Sequence, residues 1–198
     1  MKIIATIEAR MSSSRLPGKV LMEAAGTPML YHLLKRLSKA QFIDDFIIAT
    51  TDNPKDDQII NFANSHNFKF FRGSEDDVMS RVIGAAEFMN AELVVEITGD
   101  CPLIDPSIVD QVISTFLNND VEYVSNVDVR SFPDGMDVQV FSLKTLKKSA
   151  SLTKDEKDRE HVTLHIRKNP EIFSRINFVS PPELFWPELG LTLDEYPD

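Results

Sequence analysis

Short apolar runs alternate with amphipathic segments over the first two-thirds of the chain, and this rhythm restricts the fold more than any other feature. "KIIATI" (2–7), "DFIIATT" (45–51), "FKFF" (68–71), "AELVVEIT" (91–98) and "VEYVSN" (121–126) read as strands. Between the first two, Leu30, Leu33, Leu34 and Leu37 fall on one helical stripe, with Pro28 suited to a first turn. Asn53-Pro54 and Asp105-Pro106 read as helix starts, an N-cap side chain followed by proline at the first helical position. A further helix is predicted from Asp77 to Met89, with Val78, Val82, Ala85 and Met89 turned inward, and the helix after Asp105 turns Ile108, Val109, Val112, Ile113 and Phe116 inward. Such alternation predicts an α/β chain, a three-layer α/β/α, Rossmann-like arrangement around a mostly parallel sheet. Ligands in such sheets bind beyond the carboxyl ends of the strands, where strand order switches. The polar loops at 8–19, 50–54 and 99–105 all follow strands and so fall on that edge.

After about residue 126 the rhythm changes. "FPDGMDVQVFS" holds a turn at Pro133-Asp134-Gly135 and alternation at Met136, Val138 and Val140. "DEKDREHVTLHIRKN" reads as a charged helix, and "FSRINFVS" and "LGLTLDEYPD" as strands with a Pro-rich joint at 181–182 between them. The 198 residues suffice for one core, so residues 1–198 are expected to form one domain, with 127–180 as a lobe for acceptor binding or dimerisation.

Composition excludes several function classes. No apolar run approaches the ~20 residues of a membrane span, and the N-terminus lacks the pattern of a signal peptide, so a cytoplasmic protein is expected. Cys101 is the sole cysteine, which rules out an intramolecular disulfide and argues against a cysteine-based zinc site; it reads as a small buried residue. A net charge of −10 repels nucleic acid and anionic membrane. Against that background, "IEARMSSSRLPGKVL" (7–21) gathers Arg10, Arg15 and Lys19 with three serines in one loop. This is either a solvated loop or a cradle for a polyphosphate, with arginine forks, a lysine point charge and backbone N–H groups as donors. Neither the P-loop pattern nor the dinucleotide fingerprint is present. Asp100, at the end of an apolar strand after Gly99, is placed either to bind a hard cation or to support a tight turn before Pro102. Arg81 is either a solvated or ion-paired helix residue or a ligand contact, and His161 either a packed side chain or a site residue.

The string "ARMSSSRLPGKVL" with "GTPML" (26–30) resembles the signature of the cytidylyltransferases that make CMP-activated sugars. It is similar to that of the CMP-Kdo synthetases, and more so to the branch named for spore-coat polysaccharide biosynthesis. "RGSEDDVMSR" (72–81), "TGDCPLIDP" (98–106) and "FPDGMDVQVF…REHVT" (132–163) continue the likeness in order over nearly the whole chain. The resemblance implies the fold of the nucleotide-diphospho-sugar transferases (GT-A-like) and transfer of CMP from CTP to an acidic sugar or phosphorylated acceptor, with release of pyrophosphate. It implies that Arg10, Ser13, Arg15 and Lys19 hold the CTP triphosphate, with Thr50 and Arg81 near the base and ribose. Arg15, Lys19 and Asp100 would carry the catalysis. Asp100 would ligate Mg²⁺, with Asp194 as a second ligand, although Gly190 stands where relatives carry arginine and Pro197 lies one position late. Relatives continue into a closing helix beyond the point corresponding to Asp198, so the resemblance leaves two expectations, a chain trimmed there or a shortened protein. Asp134, Asp137, Arg159, Glu160 and His161 would border the acceptor, and a homodimer is implied, with a contact in 130–165. Two other readings remain open from sequence: a glycosyltransferase using a nucleotide-sugar donor, and a nucleotide-binding subunit without catalysis.

Overall fold

In the computed structural model, residues 1–195 are described. Strand β1 (Ile3–Glu8) is followed by a loop and a single 3₁₀ turn at Lys19–Leu21, then a short hairpin of β2 (Glu23–Ala24) and β3 (Thr27–Pro28). Helix α1 (Met29–Leu37) leads to β4 (Asp45–Thr51), α2 (Asp57–Ser65) and β5 (Phe70–Gly73). Next come α3 (Val78–Phe88), β6 (Leu93–Thr98), α4 (Pro106–Leu117) and β7 (Tyr123–Ser125). The chain then forms β8 (Gln139–Ser142), α5 (Leu143–Leu152), two short helices α6 (Glu156–Glu160) and α7 (Leu164–Lys168), and β9 (Arg175–Asn177).

Seven strands form one sheet in the order β5-β4-β1-β6-β8-β7-β9. Only β8 runs antiparallel to its neighbours. Strand order reverses between β1 and β6, which pair in register from Ile3–Leu93 to Glu8–Thr98. This is the switch point, and it opens the crevice that the loop placement predicts.

Local chemistry starts the helices as expected. The Asn53 side chain accepts from Lys55 N, Asp77 from Ser80 N and Asp105 from Ser107 N. The four leucines of α1 are at most 1% exposed, and each contributes about 1.5–3 kcal/mol by burial. They pack with α2 and α4 on one face of the sheet, while α3, α5 and the α6–α7 region cover the other. Phe116 is only partly buried against the first core.

Two expectations are corrected. The charged stretch 155–169 is two five-residue helices: α6, capped by Asp155, ends at Glu160, and residues 161–163 turn the chain before α7. The stretch after 189 forms no strand among the described residues. It lies extended beside the turn at 133–135, where Leu191 N donates to Asp134 O at 2.8 Å and Asp134 N to Leu189 O at 2.9 Å. The joint at 181–182 leads into a 3₁₀ turn, Pro182–Leu184. Pro197 and Asp198 lie outside the described residues.

Candidate functional site

The ends of β1 and β6 are drawn tightly together. Gly99 N donates to Glu8 O at 2.8 Å, and a Cβ on Gly99 would stand 2.6 Å from that oxygen. Above this seam lies a cleft of about 350 Å³, lined by Ser13, Arg15 and Lys19, by Asp100 and Asp194, and by Glu160 and His161.

The basic loop is shaped from below. Asp56, fully buried, accepts from Met11 N at 2.7 Å and from the Thr51 hydroxyl. Gly18 N donates to Met11 O at 2.9 Å, closing the loop, and its φ of +78° favours glycine. Lys19 follows directly, in the 3₁₀ turn, with its side chain 11% exposed. Sequence reasoning missed Asp56, because its partners are set by the tertiary fold.

Lys19 Nζ donates to Asp100 Oδ2 at 2.7 Å and to Asp194 Oδ1 at 2.9 Å. Arg15 Nη2 reaches the same Asp194 oxygen at 2.9 Å. Residues 15, 19, 100 and 194, far apart in sequence, thus meet at one point. Leu193 N donates to Asp100 O at 2.9 Å, which ties the C-terminal segment to the same strand end. Burial acts to raise the Asp100 carboxyl, but the Lys19 ammonium and Thr98 outweigh it and hold it below its ordinary range. Burial likewise acts to lower Lys19, and the two carboxylates overcome it and raise the ammonium. Among the described residues no group of three or more His, Cys, Asp or Glu side chains is arranged to hold a metal ion. Asp100 and Asp194 are nonetheless two hard oxygen donors converging on one cation. That donor set fits Mg²⁺, which keeps most of its shell as water and substrate phosphate.

The remaining expected residues divide. Arg10 lines the cleft, with Nη1 3.9 Å from Glu75. Arg81 lines it too, but it is neither solvated nor directly ion-paired. It is 3% exposed, its Nη1 donates to the carbonyl oxygens of Ser74 and Glu75, and its Nε has no partner among the described residues. Burial lowers its pKa. Thr50 is fully buried, its hydroxyl has no partner among the described residues, and its side chain is not among those lining the cleft. Strand alternation points it into the core on the α1 side. Glu160 and His161 are exposed at the end of α6 and face the cleft, because the chain turns there rather than continuing as one helix. Arg159 instead pairs with Asp77 and lines an adjoining chamber of about 420 Å³ that shares Arg10 and Glu160 with the cleft. Asp134 and Asp137 both accept from Arg130, at 2.8 and 3.2 Å, a partner that sequence reading did not single out. Burial raises Asp137 from 3.8 to about 6. Cys101 is buried at 1% exposure, Phe132 stacks in the core on Phe178, and Trp186 is exposed.

Glu8 was also missed. It lines the cleft, and its Oε1 is shut off from solvent with no hydrogen-bond partner among the described residues. Burial raises its carboxyl from 4.5 to about 8, opposed by Arg81 and assisted by Asp100.

Comparison with known proteins follows the same lines. Residues 4–192 match the family described as cytidylyltransferase. The spore coat polysaccharide biosynthesis protein SpsF of Bacillus subtilis is 32% identical over 201 residues, covering 99% of this chain and 82% of that protein. The structure of a cytidylyltransferase from Leptospira borgpetersenii superposes with a TM-score of 0.92 at 35% identity, over 98% of this chain and 82% of that one. A CMP:2-keto-3-deoxy-manno-octonic acid synthetase solved with CTP shares the fold at a TM-score of 0.71 and 16% identity, over 98% of this chain and 94% of that one.

Proposed function

The chain belongs to the cytidylyltransferase family, and from that premise we propose that it transfers CMP from CTP to an oxygen of an acidic sugar or phosphorylated acceptor, with release of pyrophosphate, in the building of a surface polysaccharide or other glycoconjugate. The relative named for spore-coat polysaccharide supports the last part of this reading. The observation that carries the chemistry is the Lys19 ammonium held between Asp100 and Asp194 at 2.7 and 2.9 Å, with Arg15 beside it.

The acceptor oxygen attacks the α-phosphorus, the bond from that phosphorus to the bridging oxygen breaks, and pyrophosphate leaves with the electron pair. Lys19 and Arg15 meet the charge that gathers on the leaving group, and Arg10, Ser13 and the loop N–H groups hold its oxygens. Asp100 and Asp194 would hold Mg²⁺, which when bound neutralises triphosphate oxygens. Glu160 and His161, which also line the cleft, would face the acceptor. Catalysis here is mainly positioning and charge neutralisation; no covalent intermediate is required.

The test is pyrophosphate release from CTP with candidate acceptors. Lys19→Ala and Asp100→Ala should each lower kcat/KM by about 10²–10³, the scale for removing one charge-stabilising group. Full activity in both variants overturns the assignment. Release of a nucleotide from a nucleotide-sugar, without pyrophosphate, would instead favour a glycosyltransferase.

A further inference from the structure

A closed circuit of hydrogen bonds joins the segments that follow β1, β4 and β5. Met11 N donates to Asp56 Oδ1 at 2.7 Å, and the Thr51 hydroxyl donates to Asp56 Oδ2. Asn53 N donates to Thr51 Oγ1 at 3.1 Å, and Asn53 Nδ2 to Glu75 Oε2 at 2.9 Å. The Ser12 hydroxyl donates to Glu75 Oε1, and the Met11–Ser12 peptide closes the circuit. Arg72 of β5 braces it, with Nε on Thr51 O at 2.9 Å and Nη2 on Asn53 O at 3.0 Å. Two carboxylates remote from the basic loop in sequence thus hold consecutive residues of it, Asp56 through a backbone N–H and Glu75 through a hydroxyl.

The two differ in their surroundings. Asp56 is fully buried beneath the loop. Glu75 lines the chamber beside the cleft, and the Asn53 and Ser12 donors hold its carboxyl below the ordinary range. The Arg10 guanidinium stands 3.9 Å from Glu75 Oε1, an ion pair without a hydrogen bond. Arg15 and Lys19, by contrast, both donate to Asp194. Among the described residues Arg10 makes no side-chain hydrogen bond. Its donors are steadied by the Glu75 charge and stay open to an anion in the cleft that Arg10 lines.

We propose that Glu75 is a positioning residue for the nucleotide: by closing this circuit it fixes Arg10, Met11 and Ser12, and so aims Arg10 and Ser13 at the β- and γ-phosphates. The proposal rests on the CMP-transfer reading and adds to it a residue outside the basic loop. Glu75 acts through Ser12 and Arg10 rather than by touching the nucleotide. Donors fixed before the ligand arrives avoid the ordering cost that a loose loop incurs on binding.

Calorimetric titration in Mg²⁺ separates the parts of CTP, because pyrophosphate probes the loop and CMP the rest of the site. Glu75→Gln keeps an acceptor for Ser12 but sets its amide N–H groups against those of Asn53. It should weaken CTP and pyrophosphate by about tenfold, the scale of one hydrogen bond to a charged group, and leave CMP affinity unchanged. Asn53→Asp alone brings two carboxylates together and should give the same pattern. With both substitutions the glutamine amide donates to the new carboxylate, whose other oxygen still accepts from Lys55 N as Asn53 Oδ1 does at 3.0 Å. Pyrophosphate affinity should then recover. Ser12→Ala cuts the link from the loop side and should reproduce the selective loss, whatever the folding of the other variants. Unchanged pyrophosphate affinity in the single variants, an equal loss for CMP, or no recovery in the double variant overturns the proposal. Parent protein that binds neither CTP nor pyrophosphate removes the CMP-transfer reading, and this proposal with it.

Discussion

Glu8 shows how one buried atom couples stability to pH. Its carboxyl rises from 4.5 to about 8 because burial disfavours the anion. The folded state therefore holds a proton that the unfolded chain releases between those values. The stability tied to that proton is complete below pH 4.5 and is lost as pH climbs through about 8. Glu8→Gln keeps the shape and cannot ionise. Its thermal midpoint should thus gain on that of the parent as pH rises across the window, and an equal offset at both ends would show that Glu8 does not titrate there. Asp100 behaves in the opposite sense. Its lowered pKa makes the contact with Lys19 stabilising above its ordinary 3.8 and weaker as acid protonates it. Lys19→Ala leaves two carboxylates facing each other without their ammonium, so it should lower the thermal midpoint at neutral pH more than at acid pH. A pH-independent loss would contradict the pairing.

At the scale of elements, what could be read in advance was what depends on neighbours in sequence. The caps at Asn53, Asp77 and Asp105 and the leucine stripe of α1 are local chemistry, and the structure repeats them. The direction of β8 was not legible, since a period of two marks a strand and says nothing of which way it runs. Helix α5 was overlooked, although Ser142 caps it and Leu146 is buried beneath it. The charged stretch 155–169 has the composition of one helix; its break is set by tertiary contacts, among them Thr163 reaching Gln139 on the sheet. The roles of Asp56, Arg130 and Glu8 likewise come from partners remote in sequence. Two element-level outcomes follow. Asp77 both caps α3 and holds Arg159 of α6. Asp77→Ala should cost about 1 kcal/mol for the cap alone, read by chemical denaturation, and more if the tie to Arg159 matters. Gly99→Ala would push a methyl group against Glu8 O and part β1 from β6. It should lower both stability and CTP affinity, and a variant with unchanged affinity would mean that this seam does not shape the cleft.

Over the whole molecule, distant segments close on the switch point. The N-terminal loop supplies cations, the middle strand Asp100, the α6–α7 turn His161, and the last described residues Asp194. Hydrogen exchange at the amides of Leu191 and Leu193, which bond to Asp134 and Asp100, should slow when CTP and Mg²⁺ are added. Unchanged exchange would separate the C-terminal segment from nucleotide binding. Polarity has a practical side as well. β1 runs from Ile3 at one pole to Glu8 at the other, so Ile3 lies roughly 15–20 Å from the crevice by strand rise alone, whereas residue 194 sits in it. A reporter dye placed beside Ile3 would therefore be remote from a bound nucleotide, whereas one placed beside Asp194 would sit among the groups that hold it.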